Sequence, residues 1–186
     1  MKGYIYTTNV DPGKGVFLND PIFDGTPTLG ACMPKIRQAV DKGDYIFTIS
    51  GKTTGVDQYV IGGFEVERKL HALAALDYLP ENMLRLAEDG TRRGNIIVNP
   101  DGSKNPIDKH SNYENRLENY VIGKNPIHIV NKEQVDLARA ETLGFLKSTF
   151  SKDGNSVFDI VARWRRMDER QVRGMIEWLE SIKRAH

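Results

Sequence analysis

The pattern of apolar and polar residues in the first third of the chain predicts strands joined by loops and one short helix. YIYTT (4–8), YIFTIS (45–50) and YVIGGFEV (59–66) are rich in the β-branched and aromatic residues that strands favour. A helix is expected over 33–41, because Pro34 suits a first helical turn and a glycine follows the last turn. This part of the chain is therefore predicted to be mainly β.

The middle of the chain predicts a mixture of helices and strands. Apolar residues at helical spacing indicate helices around 70–76 and 81–87. NIIV at 95–98 indicates a further strand, and a pair of strands is expected at 120–122 and 127–130. A polar loop separates NIIV from that pair.

From about residue 132 the apolar residues keep helical spacing, which predicts an α-helical tail. Ser156 followed by Asp159 is typical of a helix start with a capped first turn. The apolar stripe that follows this cap includes Trp164, so we expect Trp164 on a helix. Asp168 predicts the start of another helix.

Composition limits the kinds of ligand that the chain can attract. The net charge is +1, so contact with nucleic acid requires a local basic patch rather than the field of the whole protein. A single cysteine, Cys32, excludes an internal disulfide and a multi-cysteine zinc site. No apolar run approaches the ~18 residues of a membrane span, so we expect a cytoplasmic chain without membrane contact.

We expect no cofactor, because the only cofactor-like motif is incomplete. SGKT at 50–53 is similar to the end of a phosphate-binding P-loop. The earlier glycine that the P-loop requires would fall on Ile46, inside a predicted strand. The sequence therefore excludes an NTPase of this type, although Lys52 can still contact a phosphate.

The segment DPIFDGTPTLGACMPKIRQAVDKGDYIFTISGK (20–52) resembles the second numbered family of nucleotide modification associated domains. These are bacterial and phage proteins found beside nucleic-acid modification and defence systems. The resemblance rests on Pro21, Phe23, Gly25, Thr28, Leu29, Cys32, Pro34, Ile36, Arg37, Gly43 and Asp44. IRQAVDKGDYIFTISG followed by QYVIGGFEV is also similar to the PUA-like barrels, which include the EVE and YTH domains.

These resemblances imply an α+β fold: a PUA-like mixed β-barrel of the EVE or YTH type with short helices and a C-terminal helical extension. We assign residues 1–131 to a nucleotide- or base-binding domain of this kind. Residues 132–186 then form the helical extension, which lies outside the resemblance. In such a barrel the Gly-Asp turn at 43–44 closes a helix and begins a core strand.

The resemblance also implies a ligand pocket near the end of the second strand. Phe23 belongs to the long N-terminal loop (9–27), where an aromatic ring can stack on a base, and Thr28 directly follows that loop. Ser50 and Gly51 would leave room for the ligand, and Lys52 would contact a phosphate. Arg37, on the short helix beside Lys35, would also contact a phosphate, although the two side chains could equally form a solvated helix face.

KHSNYENR at 109–116 is the densest polar cluster in the chain. His110, Ser111, Asn112 and Tyr113 can hydrogen-bond to a base and stack on it, as proteins do with unpaired nucleotides. The alternatives are a polar surface loop anchored by the tyrosine, or an acid–base pair of His110 with Glu114.

Two further groups of residues have a structural and a functional interpretation. Cys32 precedes a helix and is a candidate nucleophile, but a small buried cysteine is the favoured interpretation. The tail contains arginines that either form a phosphate-binding face or, as we favour, a solvated helix face. They are Arg163, Arg165, Arg166, Arg170 and Arg173.

The leading hypothesis is a module that recognises a nucleotide or a modified base in nucleic acid, associated with modification or phage and bacterial defence. One alternative is a nucleotide- or base-modifying transferase or hydrolase that uses His110 and Glu114, with Cys32 as a further candidate. Another is a sensor of small nucleotides that oligomerises through its helical tail. Besides nucleic acid, the expected partners are a second copy of the chain or another protein, bound by the C-terminal helices.

Overall fold

The computed structural model describes residues 1–185, which form an α+β fold with a six-stranded mixed sheet, a two-stranded hairpin and five α-helices. The predicted mixture of strands and helices is confirmed. The strands are β1 (Gly3–Thr7), β2 (Thr28–Leu29), β3 (Tyr45–Ile49), β4 (Val60–Leu70), β5 (Arg85–Leu86), β6 (Arg92–Arg93), β7 (Tyr120–His128) and β8 (Trp164–Met167). The helices are α1 (Pro34–Ala39), α2 (Ala72–Tyr78), α3 (Lys132–Phe150), α4 (Val157–Val161) and α5 (Glu169–Arg184).

The main sheet is open, with strand order β2-β7-β4-β3-β1-β8. β1 runs parallel to β3, with Gly3 opposite Tyr45, and antiparallel to β8. β3 and β4 are antiparallel, as are β2 and β7. A barrel closes only when its first and last strands pair, and β2 and β8 are the two ends of this strand order. The prediction of a closed barrel is therefore wrong for the described residues.

Two local predictions are wrong because a strand replaces a helix. The predicted helix at 81–87 is a 3-10 turn, Pro80–Asn82, followed by β5, which pairs with β6 across a turn that includes Gly90 at φ 77°. Trp164 lies on β8 rather than on a helix, because α4 ends at Ala162, whose φ is 55°. The predicted caps are confirmed, since Ser156 and Asp168 both begin helices with capping boxes.

The described residues divide into two compact units that alternate along the sequence. Unit 1 comprises Met1–Phe17, Gly43–Glu65 and the chain from Asn125 onward. Unit 2 comprises Leu18–Lys42 and Val66–Lys124. The predicted boundary between residues 131 and 132 is not a limit of either unit.

The helical tail forms part of the core of unit 1. A Cβ atom on Gly3 of β1 would lie 2.6 Å from Val172 Cγ2 of α5, so the two elements are in close contact. α3 and α5 are joined by a stack of Phe145 on Trp178, with ring centroids 4.4 Å apart. The apolar residues of α5 are buried: Val172, Met175, Leu179 and Ile182. A partner bound by the C-terminal helices would therefore have to contact other side chains.

Unit 2 has two adjoining apolar clusters. The larger packs α2 against residues of β7 and the 96–98 segment. The smaller contains Ala31, Leu84 and Ile97, with Ile107, Tyr113 and Leu117 packed against it. The polar segment around residues 104–117 therefore lies on an apolar base. Among residues 1–185, none of the helices combines the length and the apolar character of a membrane span.

Candidate functional site

A buried carboxylate in unit 2 fixes the shape of the chain just before α1. Asp20 accepts hydrogen bonds from the backbone N–H groups of Gly30, Ala31 and Cys32 at 2.8, 2.9 and 2.7 Å. Its Oδ1 also accepts one from Asn95 Nδ2 at 2.9 Å. Only glycine fits at position 30, because a Cβ there would lie 2.3 Å from the Asn95 carbonyl oxygen. The small-residue run before the helix thus serves close packing.

Polar side chains continue from Asp20 into the interior. Asn95 Nδ2 donates to Thr28 Oγ1 at 3.0 Å, and the Tyr120 hydroxyl donates to Asn95 Oδ1 at 2.7 Å. Asn82 Nδ2 donates in turn to the Tyr120 hydroxyl at 3.2 Å. Burial raises the pKa of Tyr120, so its hydroxyl stays neutral. Thr28 is fully buried in this arrangement and has no access to a ligand from solvent.

Arg37 is also completely buried and acts as a structural link. Its guanidinium donates to the carbonyl oxygens of Cys32 at 2.9 Å, Ala31 at 3.4 Å, Arg116 at 3.3 Å and Glu118 at 2.7 Å. Burial lowers the pKa of Arg37 to about 10, which still leaves the group charged at neutral pH. Because the guanidinium is 0% exposed, the structure does not place Arg37 where a phosphate in solvent could reach it.

Cys32 lies next to this link, and its environment opposes a role as nucleophile. Desolvation raises the pKa of the Cys32 thiol, and the charge and hydrogen bond of Asp20 raise it further. The thiol is therefore protonated at neutral pH, whereas nucleophilic cysteines react as thiolates. This geometry favours the structural interpretation of Cys32.

We call residues 104–116 the polar loop; its centre is a histidine held by a buried carboxylate. His110 Nδ1 lies 2.5 Å from Asp108 Oδ1, and the Asp108 side chain is 2% exposed. Lys104 Nζ lies 3.6 Å from the other oxygen of Asp108 and donates to the His110 carbonyl at 3.1 Å. The His110 side chain is 35% exposed. Because Asp108 engages Nδ1, Nε2 is the ring nitrogen that remains for a ligand.

The polar loop is anchored to the interior at both ends. Near its start, Asn105 Nδ2 donates to the Leu84 carbonyl at 2.8 Å. At its end, Arg116 Nη1 donates to the Ala31 carbonyl at 2.6 Å. Tyr113 packs on the smaller apolar cluster, and Lys104 Nζ lies 5.5 Å from the centre of its ring. Rigid anchors of this kind keep the polar side chains between them in a defined position.

Five of the predicted site residues occur together on the polar loop. They are His110, Ser111, Asn112, Tyr113 and Glu114, of which Ser111, Asn112 and Glu114 are exposed. In the described residues no hydrogen bond or ion pair joins His110 to Glu114; the partner of His110 is Asp108. Asp108 and Lys104 were not predicted as site residues, although an aspartate two residues before a histidine was a usable signal.

The residues predicted at the end of the second strand lie in unit 1 and have internal roles. Ser50 is buried, and its Oγ accepts a hydrogen bond from the backbone N–H of Tyr59 at 3.0 Å. Gly51 is a close contact between segments, since a Cβ there would lie 2.6 Å from the backbone of Asn9. Lys52 is exposed. The two small residues thus make close contacts with protein backbone, and in unit 2 Phe23 is also buried.

Comparisons with protein-family models, with curated proteins and with solved structures each found no match to this chain. Among the described residues there is no group of three or more histidine, cysteine, aspartate or glutamate side chains that could hold a metal ion.

Proposed function

We propose that the chain binds a nucleotide or a modified base on the exposed face of the polar loop. The observation that carries this proposal is the Asp108–His110 pair, in which a buried carboxylate orients a partly exposed imidazole. Orienting the ring in advance lowers the entropic cost of binding a ligand. Asn112 and Ser111 lie beside it in the sequence and are exposed, so they can take part in the same contact.

The side chains of the polar loop suit the parts of a nucleotide. An imidazole ring can stack on a base, and its Nε2 can exchange a hydrogen bond with a base edge. The Asn112 amide has both hydrogen-bond donors and an acceptor, so it can pair with the polar atoms of a base edge. Lys109 is exposed and can contact a phosphate. In this proposal Lys109 has the role that the sequence predicted for Arg37.

The resemblance of residues 20–52 to nucleotide modification associated domains supports the same class of ligand. We therefore include in the proposal a role as a recognition module in nucleic-acid modification or defence, and a distant relation to the PUA-like folds. That relation concerns strand arrangement and not barrel closure, because the sheet is open.

The proposal is tested by titrating the full chain with nucleoside monophosphates, both unmodified and base-modified. We expect selective binding, weakened at least tenfold by His110→Ala and by Asn112→Ala. Asn155→Ala is the matched control, because Asn155 is an exposed asparagine of unit 1. Failure of every nucleotide to bind, or equal affinity in all three variants, would contradict the proposal.

A second candidate function is acid–base catalysis on the bound nucleotide, and the same pair favours it. With Nδ1 held by Asp108, Nε2 of His110 can take a proton from water or a hydroxyl group, and the carboxylate stabilises the resulting imidazolium. His110→Gln keeps hydrogen-bonding capacity but cannot become a comparable cation. Loss of turnover in His110→Gln with binding retained would identify an enzyme, and the absence of turnover in the wild type would exclude one for the substrates tried.

A further inference from the structure

Five arginines lie on unit 1 between residues 163 and 173, and three of them have no side-chain partner among residues 1–185. Residues 163–173 contain Arg163, Arg165, Arg166, Arg170 and Arg173 against the carboxylates of Asp168 and Glu169. Among residues 1–185, the side chains of Arg163, Arg166 and Arg170 have no hydrogen bond or ion pair, and all three are exposed.

The other charges in this region are already engaged. Arg165 Nη1 donates to the Ile160 carbonyl at 2.6 Å, and its guanidinium lies 4.5 Å from the centre of the Phe150 ring. Arg173 Nη2 donates to Glu169 Oε1 at 2.7 Å. Asp168 Oδ1 accepts from the backbone N–H of Gln171 at 2.9 Å, as the cap of α5. The charge left without a partner is therefore positive.

An exposed aromatic side chain accompanies this positive charge. Trp164 is 39% exposed, and its ring lies 5.9 Å from that of Tyr4 in a tilted arrangement. In the antiparallel register, Trp164 lies opposite Tyr6 and Arg166 opposite Tyr4. Residues two apart on a strand share a face of the sheet, so Trp164 and Arg166 are neighbours on one face.

A surface cavity of about 450 Å³ adjoins the same strand. Its lining includes Lys2, Arg165, Arg166 and Gln171. β8 is also at the end of the sheet's strand order. Of the exposed arginines without a partner, Arg166 therefore borders this recess, whose lining also includes Asp168 and Glu169.

We infer that one surface of unit 1 binds single-stranded nucleic acid. This surface, the arginine edge, consists of Arg163, Trp164, Arg166 and Arg170. The three arginines would contact the phosphate backbone, and Trp164 would stack on a base. Guanidinium groups without partners match a polyanion, and an exposed indole ring matches an unpaired base. A second copy of the chain would present the same positive charge and is disfavoured. The inference rests on the proposed function for the class of ligand, but it concerns a different unit of the chain and a polymer rather than a mononucleotide.

The test uses the fluorescence of Trp164 during titration with oligo(dT) and oligo(U) of about ten nucleotides. Trp178→Phe makes Trp164 the only indole, since the chain has two tryptophans, and it preserves an aromatic ring on Phe145. We expect quenching on binding, with affinity that falls steeply as salt rises. Each of Arg163→Gln, Arg166→Gln and Arg170→Gln is expected to reduce the slope of log affinity against log salt by about 0.7.

Lys183→Gln is the control, because it removes an exposed charge from the far end of α5. The triple arginine variant should bind the oligonucleotides at least tenfold more weakly, whereas Lys183→Gln should leave the affinity within about twofold. Absence of oligonucleotide binding, or equal affinity in the triple variant, would overturn the inference. Equal quenching by poly-glutamate would overturn it as well, because it would indicate an acidic protein partner.

Mononucleotide titration separates this inference from the proposed function. One outcome is that His110→Ala weakens mononucleotide binding while substitutions in the arginine edge leave oligonucleotide affinity unchanged. In that case the proposed function stands and the inference fails. If oligonucleotides depend on the arginine edge and no mononucleotide binds the polar loop, the inference stands and the proposed site fails.

Discussion

The interior of unit 2 and its polar loop contain similar side chains with different roles. In the interior, the side chains of Asp20 and Arg37 are buried and hydrogen-bonded to protein groups. On the polar loop, Asp108 is buried but its partner His110 is partly exposed. The interior groups therefore determine the shape of the chain, whereas the loop offers a ligand a polar side chain with a free ring nitrogen.

The contrast shows that a charged residue in a motif is informative about function only when its partners are known. Buried polar groups cost free energy unless they are hydrogen-bonded, so Arg37 and Asp20 are held where protein groups satisfy them. The carbonyls that Arg37 binds include those of Arg116 and Glu118, at the end of the polar loop. The interior thus contributes to the site by positioning it.

The largest expected effect is the loss of stability in Arg37→Ala. The substitution removes a donor from four carbonyl oxygens, of which, among residues 1–185, only that of Ala31 keeps another donor. The free energy of unfolding should fall by about 3–5 kcal/mol, because each buried acceptor left without a donor costs about 1–3 kcal/mol. Lys35→Ala on the same helix is the control and should change stability by less than about 0.5 kcal/mol, because Lys35 is exposed. Urea unfolding measures both, and similar stability in the two variants would contradict the structural role of Arg37.

A smaller loss is expected from Tyr120→Phe, which removes one hydroxyl from the interior. Asn95 loses a donor and Asn82 loses an acceptor, so stability at neutral pH should fall by about 1–3 kcal/mol. Tyr78→Phe is the control, since Tyr78 is 52% exposed. Unfolding of both variants at neutral pH measures the difference, and equal losses would indicate that the interior hydroxyl contributes no net stability.

The same tyrosine predicts a dependence on alkaline pH. The pKa of Tyr120 is raised in the folded chain, so the unfolded chain releases this proton first as pH rises. Its contribution to stability is therefore complete below about pH 10, the pKa of an ordinary tyrosine, and is lost above it. The free energy of unfolding should fall less steeply above pH 10 in Tyr120→Phe than in the wild type. Parallel curves would contradict a raised pKa.

The smallest effect on stability is expected on the polar loop. Asn112→Ala and Ser111→Ala should each change the free energy of unfolding by less than about 0.5 kcal/mol, because both side chains are exposed. The same Asn112→Ala variant is expected to weaken nucleotide binding, which separates function from folding. A loss of 2 kcal/mol or more (on the order of a buried group's contribution) would show that Asn112 serves the fold instead.

Local patterns predicted the elements whose determinants are local. β1, β3 and α1 follow from β-branched runs and from Pro34, and the capped starts at Ser156 and Asp168 depend on residues three positions away. β8 could not be predicted in this way, because its four residues become a strand only by pairing with β1 at the other end of the chain. The open sheet was missed for the same reason.

The candidate site was predicted only in part. Features set by neighbouring residues could be predicted, and those set by residues far apart in the sequence could not. The cluster of polar residues at 109–116 is visible in composition, and the structure keeps it together on one loop. The burial of Arg37 is not visible, since two of its partners lie 79 and 81 residues further along the chain. A pair of His110 with Glu114 was one of three alternatives; the structure pairs His110 with Asp108, which lies just outside the run that composition marks out.

The most direct test of the central claim is hydrogen exchange of the wild-type chain with and without a saturating nucleotide from the panel. We expect slower exchange of backbone amides within 104–116, where the ligand would cover the loop. We expect no comparable change in 45–52, where Ser50 and Gly51 are already buried. Protection of 45–52 with unchanged exchange across 104–116 would contradict the account and return the site to the end of the second predicted strand.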